Sequence, residues 1–136
     1  MRKITNILLV VLLTRSVCFA QTELFNVIKE SFSSGNVLAL SENFDNNINC
    51  NILGKENFYS RSQSTIIFKD FFATYKPKDF KIQHHKIEKN GIIYLIGEYT
   101  TQGGDAFRVI ISIKQESETE LYIIKIKLEL KSKQKT

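Results

Sequence analysis

From Asp79 to Leu130, apolar side chains recur at every second position in four runs, separated by short turn-like stretches. A period of two puts alternate side chains on one face of a strand, so this half of the chain is committed to antiparallel sheet. Phe80, Ile82 and His84 share one face of the first run. Asn90-Gly91 follows and predicts a hairpin with a type I′ turn. Ile92 to Thr101 is the returning strand, apolar on both faces through Ile96. Gln102-Gly103-Gly104-Asp105 is a second tight connection, and Phe107, Val109, Ile111 and Ile113 alternate on the third run. After the charged turn Glu116 to Glu120, Tyr122, Ile124, Ile126, Leu128 and Leu130 form one apolar face, opposite Lys125, Lys127 and Glu129.

The first half alternates differently. Thr22 to Phe32 reads as a helix, with Leu24, Val27, Ile28 and Phe32 on one stripe and Gly35 just past its end. Asn36 can cap a second, short helix carrying Val37, Leu40 and Phe44. Ile48, Cys50 and Ile52 alternate with Asn47, Asn49 and Asn51, a strand with one wet face. Gly54-Lys55-Glu56 is a turn, and Asn57 to Tyr59 a short second strand. Ser60 with Gln63 three residues on is a capping-box pattern. It opens a helix from Arg61 to Tyr75, whose Ile67, Phe68, Phe71, Phe72 and Tyr75 fall on one arc; Pro77 stops it. Helices gathered on one side of a meander make an α+β fold, with the sheet curled around the Phe-rich helix.

Residues 1–20 stand apart from this pattern. Arg2 and Lys3 precede the apolar run Ile7 to Leu13, and Cys18-Phe19-Ala20 puts small residues at the −3 and −1 positions before Gln21. That is a cleavable signal peptide. Arg15 keeps the run too short for a membrane span, which needs roughly 18 residues. Acylation at Cys18 is disfavoured, because Arg15-Ser16-Val17 lacks the expected Leu and small residue. The expectation is an exported protein, periplasmic or secreted. One domain spans residues 21–131, and residues 132–136 form a basic tail with Lys133 and Lys135. The chain carries a net charge of +5, but Arg2, Lys3 and Arg15 leave with the signal, so nucleic-acid binding is not expected. Only Cys50 then remains: there is no disulfide and no metal-ligand spacing.

The element order resembles the cone-shaped superfamily of nuclear transport factor two and ketosteroid isomerase. That order is α-α-β-β-α-β-β-β-β, cystatin-like, with a curved antiparallel sheet wrapped around helices. More closely, the chain is similar to a family of small exported bacterial proteins of unknown function with that fold. The stretches that carry the resemblance are Ser34-Gly35-Asn36, Gly54-Lys55-Glu56, Tyr59-Ser60, Lys69-Asp70-Phe71-Phe72, Pro77 with Phe80, Tyr94-Leu95-Ile96-Gly97, and Gly104 with Phe107-Arg108-Val109. The chain departs from it at His84-His85-Lys86, where a single His and then a small residue would be expected. The resemblance implies a fold, an interior that could hold a ligand, and dimerisation through the sheet. It implies no activity.

No P-loop, Rossmann glycine pattern, zinc-protease helix or nucleophile elbow is present. His84 and His85 are adjacent on a strand and point to opposite faces, so they cannot chelate one metal together. His84, on the face of Phe80 and Ile82, is a candidate base or ligand donor inside the cone; a hydrogen-bonded histidine at the edge of the core is the plainer reading. Glu98 and Tyr94 share a face with Ile96, while Tyr99 and Leu95 share the other. His84, Tyr94, Glu98 and Tyr99 together are the candidate ligand pocket, and Glu98 paired with a lysine at the rim is the alternative. Arg108 could hold an anion or simply make a cross-strand ion pair. No residue is assigned as catalytic, and no cofactor or metal is expected. The preferred function is a non-catalytic module for a small apolar ligand or a partner protein, with self-association through an uncovered sheet face. The alternative is a cofactor-free isomerase, dehydratase or hydrolase.

Overall fold

The computed structural model describes residues 20–131. The signal-peptide reading, Ala20 apart, and the tail at 132–136 lie outside the described residues. Residues 20–34 are helical (α1). There follow α2 (Val37–Ser41), β1 (Phe44–Ile52), β2 (Lys55–Ser60), α3 (Arg61–Thr74), β3 (Pro77–Ile87), β4 (Ile92–Thr101), β5 (Ala106–Gln115) and β6 (Leu121–Leu130). The strands form one six-stranded sheet in the order β2-β1-β6-β5-β4-β3. The helices cover one face of it, so the fold is α+β with a curved sheet around helices.

The joints between helices follow from single residues. Gly35 takes φ +73, and the amide of Asn36 returns to the carbonyl of Ser31 at 2.9 Å, closing α1 in a left-handed turn. The Asn36 side chain then accepts from the amide of Ala39 at 3.2 Å and starts α2. Ser60 and Gln63 form the expected capping box at the start of α3. Asn43 ends α2 by donating its side-chain amide to the carbonyl of Ala39. Phe44 therefore does not ride on the short helix, as its spacing predicts, but opens β1 and is fully buried.

Four further expectations are corrected. First, β1 and β6 run parallel, with Cys50 opposite Ile126 and Ile52 opposite Leu128, so the sheet is not antiparallel throughout. Second, the β1–β2 turn is Leu53-Gly54, both at positive φ, and Lys55 and Glu56 already belong to β2. Third, Asn90-Gly91 sits at a hairpin but not in a type I′ turn. Only Gly91 has positive φ (+83), the amide of Gly91 bonds the carbonyl of Glu88, and Asn90 Oδ1 accepts from the amide of Ile92. This is a three-residue loop ending in a left-handed glycine. The 101–105 connection repeats it, with Gly104 at φ +90 bonded back to Thr101.

The fourth correction concerns which residues face inward. In β6 the register shifts between Ser112 and Ile113 of its neighbour, leaving Ile124 as an extra residue. The buried set is Ile123, Ile126 and Leu128, while Tyr122 moves to the other face, opposite Lys114. In β3 the shift lies between Ile82 and His84, which pair with Gly97 and Ile96, so Gln83 is the extra residue. A bulge of one residue exchanges the faces of everything beyond it. It also twists this edge strand, which with Lys78, Lys81 and Lys86 discourages pairing with another strand.

The core lies between the inner sheet face and the helices. Leu24, Ile28 and Phe32 of α1 and Phe68, Phe71 and Phe72 of α3 pack onto Phe80, Leu95, Tyr99, Phe107, Val109, Ile111 and Leu128. Phe80 stacks on Phe32 with ring centroids 4.8 Å apart, and its ring lies directly on the backbone of β4. A Cβ on Gly97 would stand 2.4 Å from Phe80 Cζ, so only glycine admits that ring.

Candidate functional site

The interior of the cone, where a substrate or ligand would sit, is occupied by aromatic rings. Tyr99 is fully buried at the centre. Its ring lies 5.7 Å from Phe71, 5.9 Å from Phe72, 6.1 Å from Phe32 and 6.2 Å from Phe107, in tilted or edge-on contacts. Its hydroxyl donates to the carbonyl of Tyr75, the residue that ends α3. Burial pushes the Tyr99 phenol far above its ordinary range, so it stays neutral. Tyr99 is thus an anchor between helix end and sheet, with its one polar atom already committed to the main chain.

The other three residues of the predicted pocket are outside. Beyond the bulge at Gln83, His85 and not His84 takes the inward phase of Phe80 and Ile82. Its ring contacts Phe25 of α1 at 5.3 Å. His84 is exposed on the outer face, opposite Ile96. Tyr94 and Glu98 share that outer face, as the alternation of β4 predicts. Glu98 accepts from Lys131 Nζ at 2.9 Å and from Gln83 Nε2 at 3.1 Å, and stands in register between Lys81 and Arg108. Arg108 is exposed between Glu98 and Glu129. The structure therefore brings His84, Tyr94 and Glu98 to one face and separates them from Tyr99 by the thickness of the sheet.

That outer face has a definite composition. Tyr94 and Ile96 of β4 and Ile110 of β5 form a contiguous apolar stripe, with Ile92 at its end, all partly exposed. Around it, most cations already have a carboxylate. Lys86 meets Glu88 at 3.1 Å, Lys114 meets Glu116 at 2.7 Å, and Lys127 meets Glu129 at 2.9 Å. Lys125 reaches Glu56 across to β2 at 3.4 Å, and Glu56 also accepts from Asn49 at 2.9 Å. These partners hold the carboxyls of Glu56 and Glu129 below their usual range. Phe58 of β2, opposite Asn49, is 76% exposed on the same side.

The remaining chemistry is sparse. Cys50 is buried, with Sγ 3.7 Å from the Ser64 hydroxyl, and burial pushes its thiol pKa up, away from a reactive thiolate. Among the described residues no three His, Cys, Asp or Glu side chains are grouped to hold a metal ion. A shallow cleft of about 420 Å³ lies at the end of β1 and β6, lined by Asn51, Leu53, Gly54, Lys127, Leu128, Glu129 and Leu130. None of the four predicted pocket residues touches it. Counting residues along the strands misses the ring-filled interior, although Gly97 within an apolar strand signals a close approach there.

The comparisons with known proteins agree with this geometry. Residues 25–129 match the family model described as a domain of unknown function, DUF4783. No curated protein matches the chain. Among solved structures, a DUF4783 family protein from Bacteroides ovatus is 21% identical. It has a TM-score of 0.71, covering 77% of this chain and 93% of its own. Another, from Bacteroides uniformis, is 19% identical with a TM-score of 0.71, covering 79% and 96%. An NTF-2 like protein of unknown function from Silicibacter pomeroyi is 18% identical with a TM-score of 0.61, covering 87% and 98%. The protein is a member of the DUF4783 family, a family of unknown function, and has the NTF2-like fold.

Proposed function

We propose that the protein is an exported, non-catalytic binding module that recognises its partner through the outside of its sheet, and that a second copy of the chain is the first occupant of that surface. The observation that carries this reading is the filled interior. Rings of Phe32, Phe71, Phe72 and Phe107 surround Tyr99 where a ligand or reacting group would have to go. Recognition is then left to a surface. The stripe of Tyr94, Ile96 and Ile110 is apolar and central, as the core of a contact patch should be. The charges around it supply their own counter-ions, so two identical faces can meet without strong like-charge repulsion. Export is supported by the basic start, apolar run and small-residue site within residues 1–20.

Sedimentation of the mature protein at tens of micromolar, on the scale of ordinary interface affinities, tests the reading. A dimer is expected, and replacing both Ile96 and Ile110 with Lys is expected to give a monomer with an intact thermal transition. A clean monomer of the unmodified protein would overturn self-association through this face.

A further inference from the structure

We propose that the mature protein carries a pyroglutamate at position 21, formed by cyclisation of Gln21 once the bond after Ala20 has been cut. The inference rests on the export reading and adds a chemical modification to it. Cleavage at the small-residue site frees the α-amine of Gln21. A glutamine at a free N-terminus holds its own side-chain amide one five-membered ring away from that amine. The α-nitrogen attacks Cδ, an N–Cδ bond forms, the Cδ–Nε2 bond breaks, and ammonia leaves with the proton the amine gives up. No oxidant, reductant or co-reactant is required.

Two features of the structure favour the cyclised form. Nε2 of Gln21 is buried and has no hydrogen-bond partner, so nothing in the fold retains the leaving group. Gln21 lies three, four and seven residues before Leu24, Phe25 and Ile28, which puts it on the core-facing stripe of α1, and it is partly buried. A free α-ammonium there would be a partly desolvated charge at the positive end of the helix dipole. The lactam is neutral.

The test uses protein recovered from the producing bacterium, with free amines chemically labelled before digestion so that cyclisation during handling is not mistaken for the native state. The expected N-terminal peptide is 21–29, unlabelled at its α-nitrogen and lighter than the glutamine form by one ammonia. Edman degradation is expected to be blocked until a pyroglutamyl aminopeptidase is added. The Gln21→Ala variant, cut at the same bond, is expected to show a labelled, unblocked start. A labelled free Gln21 would overturn the modification and leave export standing. A chain that keeps Met1 would overturn both, and a cleaved chain that starts at another residue would overturn the modification.

Discussion

The two faces of the sheet are made by alternate residues of the same strands and behave as different materials. In β4, Ile93, Leu95 and Tyr99 point inward, are nearly or fully buried, and meet rings and branched side chains. Ile92, Tyr94, Ile96 and Glu98, one position out of phase, stay partly exposed among lysines and glutamates. The inner face spends its side chains on packing, and the polar tip at its centre, the Tyr99 hydroxyl, is tied to the main chain. The outer face spends little on stability, since exposed ion pairs contribute about 0–1 kcal/mol each. The proposed recognition through the outer face rests on this contrast.

The sharpest test of that division is the largest. Phe71 touches the rings of Phe72, Tyr75, Tyr99 and Phe107. Phe71→Ala removes the shared member of this cluster and is expected to cost about 3–5 kcal/mol in chemical denaturation. A loss below about 1 kcal/mol would mean the interior collapses freely and is not the rigid half of the molecule.

Tyr99→Phe probes the polar tip alone. Loss of the bond to the Tyr75 carbonyl is expected to cost about 1 kcal/mol at neutral pH. The folded protein holds the Tyr99 phenol above its ordinary value, so the unfolded chain releases this proton first. The contribution is therefore complete below about pH 10 and declines as pH rises above it. Denaturation of both proteins across that range should show their stabilities converging; a constant difference would place Tyr99 in contact with water.

On the outer face, His84→Ala should change stability by less than about 0.5 kcal/mol and leave the producing cell's phenotype unaltered. The sequence alone predicts a measurable loss for a histidine at the core edge. The bulge at Gln83, which turns His84 outward, removes that expectation. A fully stable His84→Ala protein with the phenotype of a gene deletion would assign the outer face a histidine-dependent function and revive the isomerase-like alternative.

Local chemistry is where the sequence is most legible. Asn36, the Ser60–Gln63 pair and Gly35 each act as their types predict, because each meets its partner within a few residues. The inward arc of α3 is legible for the same reason: helical spacing survives any tertiary arrangement. Strand faces are less secure. Alternation assumes that no residue is inserted, and one bulge at Gln83 and one at Ile124 reverse the assignments beyond them. Those bulges are set by pairing with distant strands, as is the parallel seam between β1 and β6, and no short window of sequence contains that information. So Tyr94, Glu98 and Tyr99 are assigned to their faces, on a strand whose phase is uninterrupted, while His84 and His85 are exchanged.

The place of β6 has a consequence for how the chain comes together. Among the described residues it is the strand that joins β1 and β2 to β5, β4 and β3, and it follows those five in the sequence. Until Leu121 to Leu130 is available, a nascent chain holds two disconnected pieces: the hairpin of β1 and β2, and the meander of β3 to β5. The Cys50–Ile126 pairing then closes a long loop in a single step, and contacts of such separation are slow to form. Assembly of the sheet therefore waits for this strand, and the inward faces of both pieces stay apart until its ten residues bring them together.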